Sequence, residues 1–397
     1  YAMHGRCWKY AAFAIISFGV GLQYYVDQTP FVKPAGVDLG ALRSTARRAF
    51  GQPSNFQRKL RRGKYVQVGA VERGPFVLCF LAQVVAITCW LSLLWLPIVM
   101  VITLARWRQG PSRHLRIALL GMFGLYCLPF VPALTSRHSS DIWLRYMLGW
   151  FQSVEVWASE DALRGHASQT LMCYHPHGVL SMGLLAVPLA GRAFFPEDEG
   201  TVLLSAPYIS SAAPLLQGLA RAVSPIPFRI KSVGRASIRR VLSHGARVVM
   251  MVPGGIQEAT LSKFGHERLF LQGRKGFVKY ALQYGYSLTP VYAFGESDLY
   301  HNLQLGMRWR LRLNQGLFGS PQGIPTVLPI GWRFLPILPR PDARLRVVLG
   351  APLRLPHIAS PSREDVEHWH NVYMQAVGQL FYATARDIGS VSRSLEI

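Results

Sequence analysis

The longest run of apolar residues lies near the start of the chain, where residues 76–105 carry no charged side chain. A helix needs about 20 predominantly apolar residues to cross a bilayer, so this run is long enough. A second uncharged run covers residues 117–136 and ends near two prolines. Together they predict a helical hairpin over 76–136, either transmembrane or re-entrant. A buried helix pair in a soluble domain is the alternative.

Residues 1–75 are predicted to form a basic N-terminal arm with one short apolar segment at 10–26. Glycines interrupt that segment, so it is typical of a signal-like core or a short interfacial helix. The rest of the arm, 27–75, is polar and basic. It fits either a membrane-surface arm or a solvated linker.

After about residue 150 the pattern changes to short apolar or β-branched runs that alternate with helix-like segments. This alternation is typical of an α/β unit, which we predict over residues 150–397. The predicted strands are 170–174, 201–205, 247–252, 288–293 and 345–349. The predicted helices are 179–189, 236–243, 274–284 and a terminal helix that begins at the capping pair Ser362 and Asp365 and ends before Gly389.

One segment, 300–341, has neither helical nor strand periodicity. It mixes tryptophans, phenylalanines and arginines with many glycines and prolines. Aromatic residues and arginines both favour the lipid–water boundary, so the segment fits a lipid-contacting surface. A plain irregular insertion is the alternative.

The charge balance points to anionic partners. There are 43 Lys plus Arg against 20 Asp plus Glu, a formal net charge of +23, while half of the chain is hydrophobic, which excludes disorder. Nucleic acid, anionic lipid and a phosphorylated small molecule all fit this charge, and so does a compositional excess without function. The five cysteines form no Cys-x-x-Cys pair, so we expect neither a disulfide framework nor a zinc site, as in a reducing compartment.

The sharpest local feature is Tyr-His-Pro-His-Gly at 174–178, directly after a predicted strand. Ligand sites in open α/β sheets gather at such strand ends. An imidazole titrates near neutrality and can take a proton from an alcohol. His177 and His175 are therefore candidate bases, although structural roles for an isolated histidine pair are equally common. Pro176 separates the two rings, and no carboxylate or cysteine nearby completes a metal site.

Two further strand ends carry glycine and acid. Pro-Gly-Gly-Ile-Gln-Glu at 253–258 places Gly254 and Gly255 where main-chain amides could meet an oxyanion or phosphate, and an ordinary tight turn is the alternative. Glu258 could orient an imidazole or hold a substrate hydroxyl. The third strand end gives Gly295 and Glu296. If all three ends lie on one side, they form one pocket.

Arg274 and Lys275 stand at the start of a predicted helix, between the second and third strand ends. Helix N-termini and arginine forks suit phosphate, while a solvated basic face is an equal alternative. The sequence has no Gly-x-Ser-x-Gly elbow, Walker loop, Rossmann fingerprint or zinc-hydrolase helix. Serine hydrolysis is therefore disfavoured.

Four motifs in order resemble the type 2 diacylglycerol acyltransferase family, which includes monoacylglycerol acyltransferases and wax-ester synthases. They are YHPHG at 174–178, PGGIQE at 253–258, RKGFVKYALQYGYSLTPVYAFGE at 274–296 and VVLGAPLRLP at 347–356. The similarity also covers the apolar hairpin and the terminal helix, from about residue 76 to the end. Several long motifs in the same order are far more specific than any one of them.

The resemblance implies a glycerolipid-acyltransferase-like α/β domain that esterifies a lipid alcohol with acyl-CoA, facing the cytosol at the endoplasmic reticulum or lipid droplet. It implies that His177 is the essential histidine, with His175 its motif neighbour and Gly178, Gly254, Gly255 and Glu258 on the family's glycine-bearing blocks. Related glycerolipid acyltransferases have an aspartate four residues after the histidine, where this chain has Ser181. The expected partner of His177 is therefore Glu258 or Glu296.

We accordingly expect direct acyl transfer by His177 without a metal or cofactor, with acyl-CoA as a substrate. Glycine-loop amides would hold the oxyanion, and Arg274 and Lys275 would contact CoA phosphates. Diacylglycerol is the expected acceptor, and monoacylglycerol or a long-chain alcohol is the alternative. The expected partners are acyl-CoA, a neutral lipid acceptor and the membrane, not nucleic acid, and a homo-oligomer stays open. A noncatalytic membrane-surface scaffold is the competing class of function.

Overall fold

The computed structural model of this chain is built on a nine-stranded mixed sheet. It describes residues 61–107 except 63, then 137–164, 169–195, 201–224, 228–314, 326–387 and 393–397, with a few isolated positions between 112 and 124. The predicted apolar segment 10–26 and most of the basic arm lie outside the described residues. So does most of the second apolar run, 117–136.

The sheet combines a parallel half with an antiparallel wing. The strands are β1 Arg61–Arg62, β2 Tyr65–Glu72, β3 Ser153–Ser159, β4 Thr170–His175, β5 Thr201–Ser205, β6 Phe228–Ser232, β7 Val248–Met251, β8 Glu267–Arg268, β9 Ser287–Phe294, β10 His301–Asn302, β11 Pro329–Ile330, β12 Arg344–Leu349 and β13 Leu395–Glu396. Their order in the sheet is β1-β2-β3-β12-β9-β4-β7-β5-β6. The last five are mutually parallel, and β12 is antiparallel to β9.

The parallel strands are buried on both faces. All six residues of β4 and all eight of β9 are buried, as expected for parallel strands covered by helices on each side. Side chains alternate between two cores, so Met172 and Tyr174 enter one while Leu171 and Cys173 enter the other. The five predicted strands are confirmed to within one or two residues.

Helices cover both faces of the sheet. They are α1 Phe76–Trp107, α2 Arg137–Leu148, α3 Glu160–Arg164, α4 Pro207–Ala212, α5 Pro214–Val223, α6 Arg235–Ser243, α7 Gly255–Leu261, α8 Gly276–Tyr284, α9 Met307–Asn314 and α10 Arg363–Asp387. The predicted capping pair is confirmed, because the amide of Ser362 donates to Asp365 at 2.8 Å and the amide of Asp365 donates to Ser362 Oγ at 3.0 Å. The helix predicted over 179–189 is wrong in type, since Met182–Ala193 is a 3₁₀ segment with non-helical backbone at Gly191.

The first apolar run forms α1, which packs on the α/β unit. A buried glutamine in this helix, Gln83, donates from Nε2 to the Met147 carbonyl of α2 at 2.7 Å, while Val77 and Leu81 on the outer side are exposed. In the part of the chain that the structure describes, no helix is long and apolar enough to cross a membrane. Because most of the second apolar run lies outside the described residues, the hairpin over 76–136 stays a prediction.

The sheet also begins earlier in the chain than the sequence pattern indicates. Strand β2, Tyr65–Glu72, lies in the stretch assigned to a basic arm, yet it pairs antiparallel with β3 over nearly its whole length. The amide of Gly74 then donates to the Gly149 carbonyl at 2.9 Å, which ties the start of α1 to the end of α2. The α/β unit thus includes strands on both sides of α1.

Candidate active site

Three polar strand ends meet at the carboxyl edge of the parallel half of the sheet, as predicted. Strand β4 ends in His175-Pro176-His177-Gly178, and its neighbours β7 and β9 lead into Pro253-Gly254-Gly255 and Gly295-Glu296. Because adjacent parallel strands end at the same edge, these three turns lie side by side. They form the frame of the candidate site.

His177 has one ring nitrogen occupied. Its Nδ1 lies 3.0 Å from the carbonyl oxygen of Gly178, which can only accept, so Nδ1 carries the proton. Among the described residues, no protein group binds the other nitrogen, Nε2, which keeps its lone pair in the neutral ring. Burial lowers the pKa of His177, partly offset by the hydrogen bond to Gly178. The side chain is half-buried and lines a cavity.

His175, predicted as a second catalytic residue, does not line this cavity. It is fully buried in the opposite core, where Nε2 lies 2.9 Å from the hydroxyl of Tyr373 on α10. Burial lowers the pKa of His175 to about 3, so the ring is neutral. The physical reason is strand alternation, which turns residue 175 to the same face as Cys173. His175 is a core residue and the catalytic assignment is corrected.

Glu258 binds the main chain instead of the imidazole. Its Oε1 accepts from the amide of His177 at 2.6 Å, and its Oε2 accepts from the amide of Phe270 at 2.7 Å. The prediction that Glu258 orients the ring directly is therefore wrong. Burial raises the pKa of Glu258 to about 7, although the two amides and the charge of Arg274 lower it. Glu258 is 1% exposed and does not line the cavity.

Glu296, like Glu258, binds main-chain amides, here those that follow the turn after β4. Its oxygens accept from the amide of Met182 at 2.9 Å, the amide of Gly183 at 2.7 Å and the hydroxyl of Tyr174 at 2.7 Å. Burial raises the pKa of Glu296 to about 7. Gly178 packs directly on this carboxylate, since a Cβ added at Gly178 would lie 2.6 Å from Cγ of Glu296. Glu296 and Gly178 therefore shape the turn and do not face the cavity as substrate-binding residues.

The two glycines after β7 differ in role. Gly254 packs against Glu258, because an added Cβ would lie 2.0 Å from the carboxylate oxygen Oε2. Gly255 has a φ of +58° and lines the cavity. Its amide already donates to the Val252 carbonyl at 3.2 Å, so it is not free to hold an oxyanion. The amides of Ile256 and Gln257 come next, in the first turn of α7, where N–H groups have no partner within the helix.

The two predicted phosphate ligands are also placed differently. Arg274 lines the cavity, with Nη2 donating to the side chain of Gln257 and to the Gly254 carbonyl at 3.4 Å. Lys275 is outside the cavity lining and forms an ion pair with Glu367 of α10. The charge of Lys275 is thus paired directly within the protein. The guanidinium of Arg274 hydrogen-bonds to neutral acceptors and interacts electrostatically with the buried carboxylate of Glu258.

The cavity beside His177 has a volume of about 730 Å³ and mainly apolar walls. Pockets of 300–1,000 Å³ with apolar walls and a few polar groups are the usual form of a small-molecule site. The walls come from α1, the 3₁₀ segment, α4, α5 and the ends of β5 and β7, and include Ala86, Ile87, Trp90, Leu185, Tyr208 and Leu219. His177, Gly255, Gln257 and Arg274 lie on this mainly apolar surface, which also includes Ser181, Ser205, Tyr208, Gly234 and Asn314.

Several of these residues were missed by the sequence analysis. Gln257 and Tyr208 face the cavity, and α1 supplies part of its wall although it lies about 90 residues before His177. Of these residues, only Gln257 could have been found from the sequence, because it lies inside the PGGIQE motif. Within the described ranges, no group of histidine, cysteine and acidic side chains could hold a metal ion. The site thus combines a neutral imidazole with a mainly apolar cavity.

Comparison with known proteins gives consistent relatives. The diacylglycerol O-acyltransferase 2 of Dictyostelium discoideum is 29% identical over 221 residues, covering 53% of this chain and 64% of the relative. Human 2-acylglycerol O-acyltransferase 3 is 33% identical, with 52% and 62% covered. Human acyl-CoA wax alcohol acyltransferase 1 is 32% identical, with 53% and 65% covered. The matched part thus spans less than two thirds of each relative.

A solved structure with some likeness is that of the 1-acyl-sn-glycerophosphate (LPA) acyltransferase PlsC from Thermotoga maritima. It covers 77% of this chain and 98% of that one at 12% identity, with a TM-score of 0.36, too low to support an argument. The profile of the family described as diacylglycerol acyltransferase matches residues 117–396, which contain all three polar strand ends. This match covers most of the chain, and the chain therefore belongs to the diacylglycerol acyltransferase family.

Proposed function

We propose that this chain is an acyl-CoA-dependent O-acyltransferase that esterifies diacylglycerol to triacylglycerol. The observation that carries the proposal is the His177 ring on the wall of the apolar cavity, with Nδ1 bound to the Gly178 carbonyl and Nε2 left as a base. Family membership supports the reaction class. The cavity accounts for how an apolar substrate would reach a polar catalytic group without exposure to water.

The reaction transfers one proton to His177 and later one proton from His177 to the leaving thiolate. Nε2 of His177 takes the proton of the acceptor hydroxyl, and the oxygen attacks the thioester carbonyl carbon. The tetrahedral intermediate then collapses with loss of the C–S bond, and the imidazolium returns its proton to the CoA thiolate. General base catalysis of this kind contributes about 10²–10⁴-fold. The lowered pKa of His177 keeps the ring neutral, and so able to accept a proton, at pH 7.

The developing oxyanion requires donors beside the ring. Since the Gly255 amide is occupied, we assign this role to the main-chain amides of Ile256 and Gln257, two residues in the first turn of α7 that belong to the cavity lining. An oxyanion-hole donor is worth about 10²–10³-fold in rate. Arg274 is the cation on the same wall and is our candidate for the CoA phosphates.

The acceptor alcohol is proposed from the relatives. The Dictyostelium relative favours diacylglycerol, whereas the two human relatives keep monoacylglycerol and a long-chain alcohol as alternatives. A membrane fraction containing the expressed chain should be given one labelled acyl-CoA and each of the three acceptors in turn. Triacylglycerol as the main product supports the proposal, and a different product identifies the alternative acceptor. No ester product with any acceptor would favour a noncatalytic scaffold.

We also propose that the chain works at the surface of the endoplasmic reticulum membrane or a lipid droplet. One surface of the described residues supports this location, and we call it the aromatic surface. It consists of exposed apolar side chains beside exposed arginines, namely Leu305, Trp309, Ile330, Phe334, Arg308, Arg312 and Arg333. Trp309 is 71% exposed and Phe334 is 66% exposed, which is unusual unless such side chains have a partner.

The parts of the aromatic surface are held together by the fold. Strand β10 pairs with β11, and the buried Arg310 of α9 donates to the Leu303 carbonyl, so the helix and both strands form one unit. Anionic headgroups would complement the arginines, while Trp309 and Phe334 would enter the interface.

An environment-sensitive fluorophore attached at Phe334→Cys should show a blue shift on addition of anionic vesicles, with unsubstituted protein giving the background from native cysteines. Tyr382→Cys, at an exposed aromatic position on α10 outside the aromatic surface, is the control. Equal spectra with and without vesicles at position 334 would refute this orientation.

A further inference from the structure

The seven residues 177–183, which we call the histidine loop, adopt a conformation that a polypeptide chain does not favour. Two of them have positive φ, Gly178 at +58° and Ser181 at +51°. The loop is closed by the His177 carbonyl, which accepts from the amide of Ser181 at 3.0 Å and from its hydroxyl at 2.9 Å. A non-glycine residue with positive φ persists only where its surroundings determine it.

Two buried carboxylates supply those surroundings, one at each end of the histidine loop. Glu258 accepts from the amide of His177, the first residue, at 2.6 Å. Glu296 accepts from the amides of Met182 and Gly183, the last two residues, at 2.9 and 2.7 Å. The two glutamates come from different strand ends, 81 and more than 110 residues away from the loop.

Each oxygen of both carboxylates faces a donor. For Glu258 the second donor is the Phe270 amide, and for Glu296 the third is the Tyr174 hydroxyl. Hydrogen bonds from amides to a charged acceptor are about twice as strong as neutral ones. A protonated carboxyl would direct its O–H at one of these donors, and a glutamine side chain would direct an N–H at it. Either change would break the hydrogen bond between that donor and residue 258 or 296.

We propose that Glu258 and Glu296 are positioning residues that hold the two ends of the histidine loop and thereby keep the His177 imidazole on the cavity wall. This inference rests on the proposed acyl transfer by His177. Neither glutamate touches the reacting atoms, because neither lines the cavity. Loss of either support should lower the rate of the chemical step while leaving the binding of acyl-CoA largely intact.

The chain contains a matched control in Glu267. This residue is 2% exposed, the same as Glu296, and it accepts from the hydroxyls of Tyr292 and Ser297 at 2.9 Å and pairs with Arg393. It makes no hydrogen bond to the histidine loop, and its charge acts on Glu296 by raising that pKa. Glu267→Gln therefore repeats the change of buried charge without removing a hydrogen bond to the loop, and the comparison is made at pH 8, above the pKa of about 7 of Glu296.

The pH profile supplies a readout that a merely structural role would not give. The charged and titratable groups that act on Glu258 are Arg274, Tyr292 and Tyr373, and those that act on Glu296 are Tyr174, Glu267 and Tyr300. Burial raises the pKa of both carboxyls to about 7, and the pKa values of the four tyrosines are raised far above this range. We expect wild-type kcat to rise with pH through about 7 as the carboxylates form.

The experiment compares Glu258→Gln, Glu296→Gln and Glu267→Gln in the full chain. Amide hydrogen exchange should show faster exchange at His177 and Phe270 in the first variant, and at Met182 and Gly183 in the second, with no change at these amides in the third. At pH 8, kcat should fall about 10- to 100-fold in the first two variants with KM for acyl-CoA within twofold, since small displacements of reacting groups cost about this much. Glu267→Gln should keep the wild-type kcat.

Unchanged exchange at these amides, or faster exchange with wild-type kcat, would overturn the inference. An equal loss of kcat in Glu267→Gln would also overturn it, because the loss would then follow from general destabilisation. Failure of the proposed function looks different. The wild type would form no ester at all, while the exchange data would still decide whether the two glutamates hold the loop.

Discussion

The Nδ1 atom of His177 lies 3.0 Å from the carbonyl oxygen of Gly178, the next residue in the chain. A carbonyl in this position fixes the tautomer in the way that an aspartate does in other histidine sites. It adds no negative charge, so the pKa of the ring is governed by burial, which lowers it. Among the described residues, the His177 ring is thus oriented by a main-chain carbonyl and not by a carboxylate.

Replacement of the two histidines should have opposite consequences. His177→Ala should reduce acyl transfer by about 10²–10⁴-fold, because it removes the base. Its unfolding free energy should change little, since the half-buried ring has one hydrogen bond. His175→Ala should lower the free energy of unfolding by about 2–3 kcal/mol, because it leaves a cavity and removes a hydrogen bond from the buried Tyr373 hydroxyl. Product formation and urea unfolding of both variants check this, and full activity in His177→Ala would contradict the assignment.

Gly178→Ala tests the contact between the loop and Glu296. A methyl group at this position would need positive φ, at a cost of about 1–2 kcal/mol, and would also overlap Glu296. Gly306 is the control, since it has a φ of +60° but nothing within 4 Å of an added Cβ. We expect Gly178→Ala to be less stable than Gly306→Ala by about 1–3 kcal/mol and to be inactive. Equal stabilities by urea unfolding would count against the packing.

Arg274 and Lys275 are adjacent in sequence but should differ in function. Arg274→Ala should raise KM for acyl-CoA about tenfold, as expected for loss of one charged contact to phosphate, with no such effect on KM for the acceptor. Lys275→Ala should raise it less, because Lys275 is already paired with Glu367. Initial rates at varied acyl-CoA decide between them. A larger effect at Lys275 would place the CoA phosphates beside Lys275, outside the cavity.

The stability of the protein should respond to pH in the direction opposite to its activity. The pKa of Glu296 is about 7 in the folded protein against 4.5 for an ordinary glutamate, so the folded state binds the extra proton between these values. Its contribution to the free energy of unfolding is therefore fully present below pH 4.5 and is lost as pH rises through about 7. His175, whose pKa is lowered, acts in the opposite sense below pH 6.5.

A comparison with Glu296→Gln isolates this contribution. The difference in unfolding free energy, wild type minus variant, should decrease by about 1–3 kcal/mol between pH 5 and pH 8, as for a shift of one to two pKa units. Urea unfolding at several pH values measures it. A difference that increases with pH would mean that the Glu296 carboxyl ionises below its ordinary pKa, because its three hydrogen-bond donors then outweigh burial.

The sequence pattern was sufficient for most regular elements of the α/β unit. Strands β4, β5 and β12 lie where buried apolar runs predicted them, and α10 begins at its capping pair. The 3₁₀ segment Met182–Ala193 was predicted as an ordinary helix, because apolar periodicity does not report the glycine and proline geometry inside it. Strand β2 was missed because its flanks are basic and its partner β3 lies about 80 residues later.

The order of the motifs, the resemblance to the family and the position of His177 at a strand end could be predicted from the sequence, because short apolar runs, turn residues and motif spacing are local properties of the chain. The surroundings of the other polar residues depend on how the chain packs. His175 is buried in the core on the opposite face of the sheet from the cavity, and Lys275 pairs with Glu367. Glu258 and Glu296 accept hydrogen bonds from main-chain amides. Hydrogen-bond partners so distant in sequence are chosen by how strands and helices pack, and local patterns carry no information about that choice.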